Sequence, residues 1–138
     1  MNKVLFQDEE AKIKPIEFIL ALLGAWEEKH PGERILQDQF YYAISKIACC
    51  DLPAIFKGWD FYASSSTSIL SDNLEDIVNM MCIWSQITIV KGSRGICISV
   101  VPQRWYIEKF PDQEFLNRLA DLFKIYIEEP ISTKHLEN

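Results

Sequence analysis

The residue types that most often carry chemistry are sparse in this chain and poorly spaced for it. Among 138 residues there are four Cys and two His. Zinc sites use CxxC-type or paired-His spacing, whereas Cys49 and Cys50 are adjacent and no CxxC occurs. His30 precedes a proline and His135 lies in a polar tail, so neither is placed to activate a nucleophile. We therefore predict no metal site, no cofactor and no catalytic residues.

Two other patterns look like known sites but have simpler interpretations. Asp72 and Asp76 fall at i and i+4, which suits a carboxylate pair, yet a solvated acidic helix face explains the same spacing. The segment 92–95 (GSRG) has the GxxG form of an RNA-binding module, where it joins two helices. Alternating apolar residues flank it here, which predicts the tip of a β-hairpin instead. Enzymatic activity is therefore not predicted.

Composition predicts one folded domain over residues 1–138, with a flexible tail from about residue 130. Hydrophobic residues make up 49% of the chain and aromatic residues 12%, enough for a core without disulfides. The longest apolar stretch, 18–26, is about nine residues, whereas a membrane span needs about 20. The N-terminus turns acidic after residues 4–6 and lacks the apolar region of a secretory signal. We predict a cytoplasmic protein with free thiols and no membrane association.

Hydrophobic periodicity predicts four helices and one hairpin. The helices run from Pro15 to near His30, over 38–50 with Asp38 as a capping residue, over 69–83, and from Pro111 onward. Alternating Ile residues between the last two helices predict a hairpin with Lys91 and Arg94 at its tip. The other predictions are an extended piece at 33–36, a strand or loop at 59–62, a polar surface loop at 64–68 and an aromatic, basic connector at 104–110. The last helix has an apolar stripe that is either core or a subunit contact, formed by Phe115, Leu116, Leu119, Leu122, Phe123 and Tyr126.

This order of elements is that of a winged-helix domain. We predict an α+β fold, mostly helical, with one β-hairpin wing and an added C-terminal helix. Three segments also carry a family resemblance: 32–42 (GERILQDQFYY), 61–65 (FYASS) and 74–78 (LEDIV). They resemble the winged-helix domains of Panacea (SocA-type) antitoxins and their small relatives, over about residues 15–101. The resemblance implies a domain that neutralises or adapts a protein partner rather than one that catalyses a reaction.

The predicted third helix is acidic, which disfavours nucleic acid at this surface. The chain has a net charge of -6, and Asp72, Glu75 and Asp76 all lie on this helix. Pressed against phosphates, these carboxylates would repel. The leading hypothesis is a non-enzymatic module that binds a basic protein partner, such as a toxin or a nucleic-acid enzyme, through these acids together with Trp105 and Tyr106.

The alternative hypothesis is a dimeric transcriptional regulator that binds DNA through a basic wing. Residues 86–109 carry four basic residues against one acid, Glu108. Lys91, Arg94 and Arg104 are the predicted phosphate contacts. A DNA partner is therefore predicted only in this second case. A homodimer is predicted in the same case, and also where the last helix forms a subunit contact.

Overall fold

The fold alternates short strands with helices. The computed structural model describes residues 13–102 and 104–137, so the N-terminal segment on which the signal-peptide prediction rests lies outside them. In chain order the elements are α1 (Pro15–Lys29), β1 (Arg34–Leu36), α2 (Gln37–Lys46), β2 (Tyr62–Ser65), β3 (Ser68–Leu70), α3 (Asp72–Ile83), β4 (Ile87–Gly92), β5 (Gly95–Val100), α4 (Arg104–Lys109) and α5 (Gln113–Glu128). A π-helical turn, Ile47–Asp51, follows α2, and a 3-10 turn, Lys134–Glu137, follows α5. The chain is therefore a mixed α and β protein with small antiparallel sheets.

Helix α1 forms the centre of the core. Every residue from Phe18 to Trp26 is buried, because α4 and α5 both pack against this helix. Phe123 of α5 makes ring contacts with Trp26 at 6.4 Å and with Phe40 of α2 at 6.3 Å. The apolar stripe of α5 is therefore core rather than a subunit contact. No helix in residues 13–102 and 104–137 is long and apolar enough to cross a membrane.

A three-stranded antiparallel sheet joins the extended piece to the predicted hairpin. Its strand order is β1-β5-β4, with Ile35 opposite Ile98 and Ile98 opposite Ile89. Residues 93–94 form the turn between the paired glycines Gly92 and Gly95. The predicted hairpin is confirmed, with Lys91 and Arg94 at its tip.

A second hairpin corrects the prediction that the fold has only one. β2 pairs with β3 antiparallel, and Ala63 lies opposite Ile69. The sequence predicts a polar surface loop at 64–68 because Ser and Thr favour turns there. Every residue of β2 is exposed, so no alternation of buried and exposed residues marks it as a strand.

The helix starts agree with the predictions only in part: Ser71, a predicted capping residue, does cap α3, whereas Asp38 does not cap α2. Asp38 lies in the first turn, and the preceding Leu36 provides no side-chain cap. Helix α3 begins later than predicted, where Ser71 Oγ accepts a hydrogen bond from the Leu74 backbone N–H at 3.1 Å. The residues before this cap belong to β3. The predicted connector after β5 is largely helical, since it contains α4.

The C-terminal tail is packed against α2, whereas its polarity predicts a flexible segment. His135 Nε2 lies 2.6 Å from Ser45 Oγ, and its ring packs on Tyr42 with centroids 5.6 Å apart. Burial, with the nearby charge of Lys46, lowers the pKa of His135 below its usual value. The imidazole is therefore neutral at pH 7, and this contact anchors the tail.

Candidate functional site

One side of α3 is exposed along its whole length, and we call it the α3 face. Its members stand four residues apart in two rows: Asp72, Asp76, Met80 and Trp84 in one, Glu75, Asn79 and Ile83 in the other. The opposite side of the helix buries Leu74, Val78 and Met81. From its first to its last residue the face is about 18 Å long, at about 1.5 Å per residue. It therefore has an acidic N-terminal half and an apolar C-terminal half.

The acidic half contains all three predicted carboxylates. Asp72 Oδ1 accepts a weak hydrogen bond from the Tyr62 hydroxyl at 3.4 Å, and the Asp72 charge raises the pKa of Tyr62. Burial raises the pKa of Tyr41 to about 12, with a smaller contribution from the charge of Glu75. Within the described residues, no basic nitrogen lies within 4 Å of these carboxylates. Their negative charge is therefore available to a partner.

The apolar half was missed by the sequence analysis. Ile83 is 79% exposed, Trp84 70% and Met80 45%. The Gln86 backbone N–H donates to Met81 O at 2.8 Å and closes the helix end, leaving Trp84 on the surface. These residues fall between the positions of the buried stripe. The sequence signal for them is that they are apolar residues at positions outside the apolar stripe that α3 buries.

The predicted aromatic residues lie together on α4. Tyr106 Oη accepts from Gln86 Nε2 at 3.4 Å, which places α4 next to the C-terminal end of α3. Trp105 is 56% exposed and packs edge-on against Tyr106, with ring centroids 4.7 Å apart. Lys109 Nζ lies over the Trp105 ring at 4.3 Å. The aromatic pair is therefore linked through Tyr106 to Gln86, which follows α3, and the acids lie at the other end of that helix.

The three predicted nucleic-acid contacts differ in their surroundings. Lys91 and Arg94 are exposed at the tip of the β4–β5 hairpin, and no carboxylate oxygen of the described residues lies within 4 Å of either. Arg104 instead contacts Glu28 and also Glu108, with 3.5 Å between Nε and Oε2. Two free cations therefore remain at the tip, fewer than the sequence suggests for this surface.

The surroundings of Ser45, Cys49 and Cys82 keep their hydroxyl and thiol groups protonated. Ser45 is fully buried and its hydroxyl donates to Tyr42 O at 2.7 Å, so its contact with His135 is structural. Burial raises the pKa of Cys82, and burial together with the neighbouring thiol raises that of Cys49, which keeps these thiols protonated. Across residues 13–102 and 104–137, no three His, Cys, Asp or Glu side chains are grouped to hold a metal ion.

Comparison of the chain with protein-family models, curated proteins and solved structures finds no match. The family resemblance over about residues 15–101, carried by segments 32–42, 61–65 and 74–78, therefore stays a prediction. Within the described residues, the α3 face combines three carboxylates that have no basic nitrogen within 4 Å with exposed apolar side chains.

Proposed function

We propose that this chain is a non-enzymatic, winged-helix protein-binding module of the adaptor or antitoxin kind. The order of helices and strands supports the winged-helix assignment, and so does the pairing of β1 with the hairpin in one sheet. The added hairpin β2–β3 precedes α3 without changing that order. In DNA-reading relatives of this motif the recognition helix meets the ligand, so α3 is the element to consider first.

The observation that carries the proposal is the α3 face, which contains three acids and no base. Its acidic half repels phosphate and attracts basic surfaces. Its apolar half offers Trp84 and Ile83 as side chains that become buried when a partner binds, and tryptophan is enriched at interface hot spots. The partner that fits is a protein with an apolar site bordered by Lys or Arg.

A second candidate, DNA binding by a dimer, rests on Lys91 and Arg94 alone. Both are exposed and free of carboxylate neighbours among the described residues. Each phosphate contact contributes about one unit to the log-log salt dependence of DNA affinity. Genomic DNA fragments that show no shift in low-salt gel titrations would dismiss this candidate.

The test of the proposal compares variants of the full chain as bait for partners in nuclease-treated lysate. The first variant is Asp72→Lys/Glu75→Lys/Asp76→Lys and the second is Ile83→Ser/Trp84→Ser. The matched control is Lys91→Gln/Arg94→Gln, which alters charge at the hairpin tip. We expect quantitative mass spectrometry to show capture reduced about tenfold by the first two variants, since hot-spot contacts each contribute 1 kcal/mol or more, and unchanged by the third.

Each bait first needs the circular dichroism spectrum and unfolding midpoint of the parent chain. If both α3 variants are folded and capture the same partners as the parent, the proposal is wrong. Loss of capture in the hairpin control alone would likewise contradict it, because the binding surface would then be the basic tip.

A further inference from the structure

A cleft remote from the α3 face lies where α1, β1, α5 and the hairpin tip meet. Its volume is about 350 Å³, and Arg34 and Arg94 both line it. Because β1 pairs with β5, Arg34 lies opposite Ser99 on β5, and Arg94 precedes Ser99 by five residues at the hairpin tip, so the two side chains line the cleft from different ends of the strand pair. Two arginines far apart in the sequence therefore share one concave surface.

The two arginines are the cations of the cleft without an ion-pair partner. Lys124, which also lines it, lies 3.4 Å from Glu128. Within the described part of the chain, no carboxylate oxygen lies within 4 Å of Arg34 or Arg94. A guanidinium offers a planar fork of N–H donors that matches a phosphate or a carboxylate. The donors available in the cleft are thus suited to an oxyanion.

The rest of the lining defines what kind of anion fits. Leu36 and Ile127 contribute partly exposed apolar surface, suited to a small hydrocarbon group, and Trp26 lines the cleft as a side chain that is only 3% exposed. Glu33 and Glu128 also line the cleft, so its three bases and two acids leave a net charge of +1. This small excess favours a ligand with one anionic group over a polyphosphate. The volume is at the lower end for organic ligands, which are bound in pockets of roughly 300–1,000 Å³.

We propose that this cleft binds a small organic anion, in which a phosphate or carboxylate contacts Arg34 and Arg94 and an apolar group lies against Leu36 and Ile127. The site is separate from the α3 face. Either proposal can fail without the other.

The experiment titrates the full chain, labelled with ¹⁵N, with three probes that share a single aromatic ring. Phenyl phosphate and benzoate carry the two anionic groups, and benzyl alcohol is the neutral match. We expect at least one anion to shift the Trp26 indole and Arg94 backbone resonances, with a Kd at least tenfold below that of benzyl alcohol. The anion that binds more tightly identifies the source of the oxyanion, phosphate or carboxylate.

Variants locate the site. Arg34→Gln and Arg94→Gln should each weaken binding of the better anion at least fivefold, whereas Lys91→Gln on the same hairpin should not. The proposal is overturned if neither anion binds at about 20 mM, well above the millimolar range expected of fragment-sized ligands. It is equally overturned if benzyl alcohol binds as tightly, or if Lys91→Gln weakens binding as much as Arg94→Gln.

Discussion

Helices α3 and α5 are both amphipathic, but α5 has three of its five charged side chains in ion pairs and a single large apolar side chain that is exposed. Asp121 on α5 pairs with Lys29 of α1 at 2.9 Å, and Lys124 pairs with Glu128 at 3.4 Å. Ile125 is the single large apolar side chain of this helix classed as exposed. Most of the apolar surface of helix α5 therefore makes contacts within the folded chain.

Helix α3 has more exposed apolar side chains and more unpaired charges than α5. Met80 and Ile83 are exposed, and Asp72, Glu75 and Asp76 have no basic partner within 4 Å in the described residues. Unpaired charge beside exposed apolar surface contributes little to folding. The α5 stripe therefore contributes to stability, and the contrast supports the proposal that the α3 face serves binding.

The largest expected effect is in α5. Phe123→Ala should lower the free energy of unfolding by about 3–5 kcal/mol, because the ring is fully buried between Trp26 and Phe40. Ile125→Ala, two residues away and 54% exposed, should change it by no more than about 0.5 kcal/mol. Urea unfolding followed by circular dichroism measures both. Similar losses for the two variants would contradict the division of α5 into core and surface.

Adjacent methionines test the same division in α3. Met81→Ala should cost about 2–4 kcal/mol, because Met81 is fully buried. Met80→Ala should cost less than about 1 kcal/mol, since Met80 is 45% exposed and retains only part of its contacts. The same unfolding measurement applies. A Met80→Ala variant as unstable as Met81→Ala would show that the α3 face is needed for folding.

Substitution of a paired and of an unpaired carboxylate should change the free energy of unfolding by smaller amounts. Glu129 accepts from the Tyr42 hydroxyl at 2.8 Å and from Lys46 Nζ at 3.0 Å. We expect Glu129→Gln to cost about 1–2 kcal/mol after allowance for solvent screening. Asp76→Asn should be neutral or stabilising by about 0.2–0.5 kcal/mol, because it removes repulsion with Asp72 at i+4. Unfolding at low salt measures both, and a destabilised Asp76→Asn would reveal a structural role for that acid.

The smallest effect concerns pH and the C-terminal tail. The folded protein holds the pKa of His135 below its unfolded value, so the unfolded chain binds more protons as pH falls. The contribution of His135 to stability is thus fully present above the unfolded pKa and is lost as pH drops through the folded pKa. His135→Gln should reduce the fall in unfolding free energy between about pH 7.5 and about pH 5.5. An unchanged pH dependence would mean that the tail does not depend on a neutral imidazole.

Much of the fold was predictable from the sequence because its determinants are local. Pro15 and the apolar spacing after it predicted α1, and the change from helical to alternating periodicity predicted the β4–β5 hairpin. The second hairpin was not predictable in this way, because exposed Ser-rich strands have the composition of a loop. The contact between the tail and α2 was not predicted for a similar reason. The polar sequence of the tail does not indicate that His135 contacts the buried Ser45.

The candidate site was predictable only in part. The acids of α3 were found because charge at helical spacing is visible in the sequence. Trp84 was not, since a tryptophan near a helix end is usually a core residue, and here it is exposed because none of the described elements packs over it. Arg104 was predicted to contact phosphate, but the structure pairs it with Glu28 and Glu108. This could not be predicted from local sequence, because Glu28 lies on another helix.

The sequence by itself determined the helices, the β4–β5 hairpin and the acidic character of α3, because periodicity and capping act within a few residues. The tertiary structure decided that β1 pairs with β5, that the α5 stripe is core and that Trp84 remains outside. These features depend on contacts between segments that are far apart in the sequence. Whether a residue is buried is decided by such a contact and not by the sequence of either segment alone. The same long-range pairing brings Arg34 and Arg94 to one cleft.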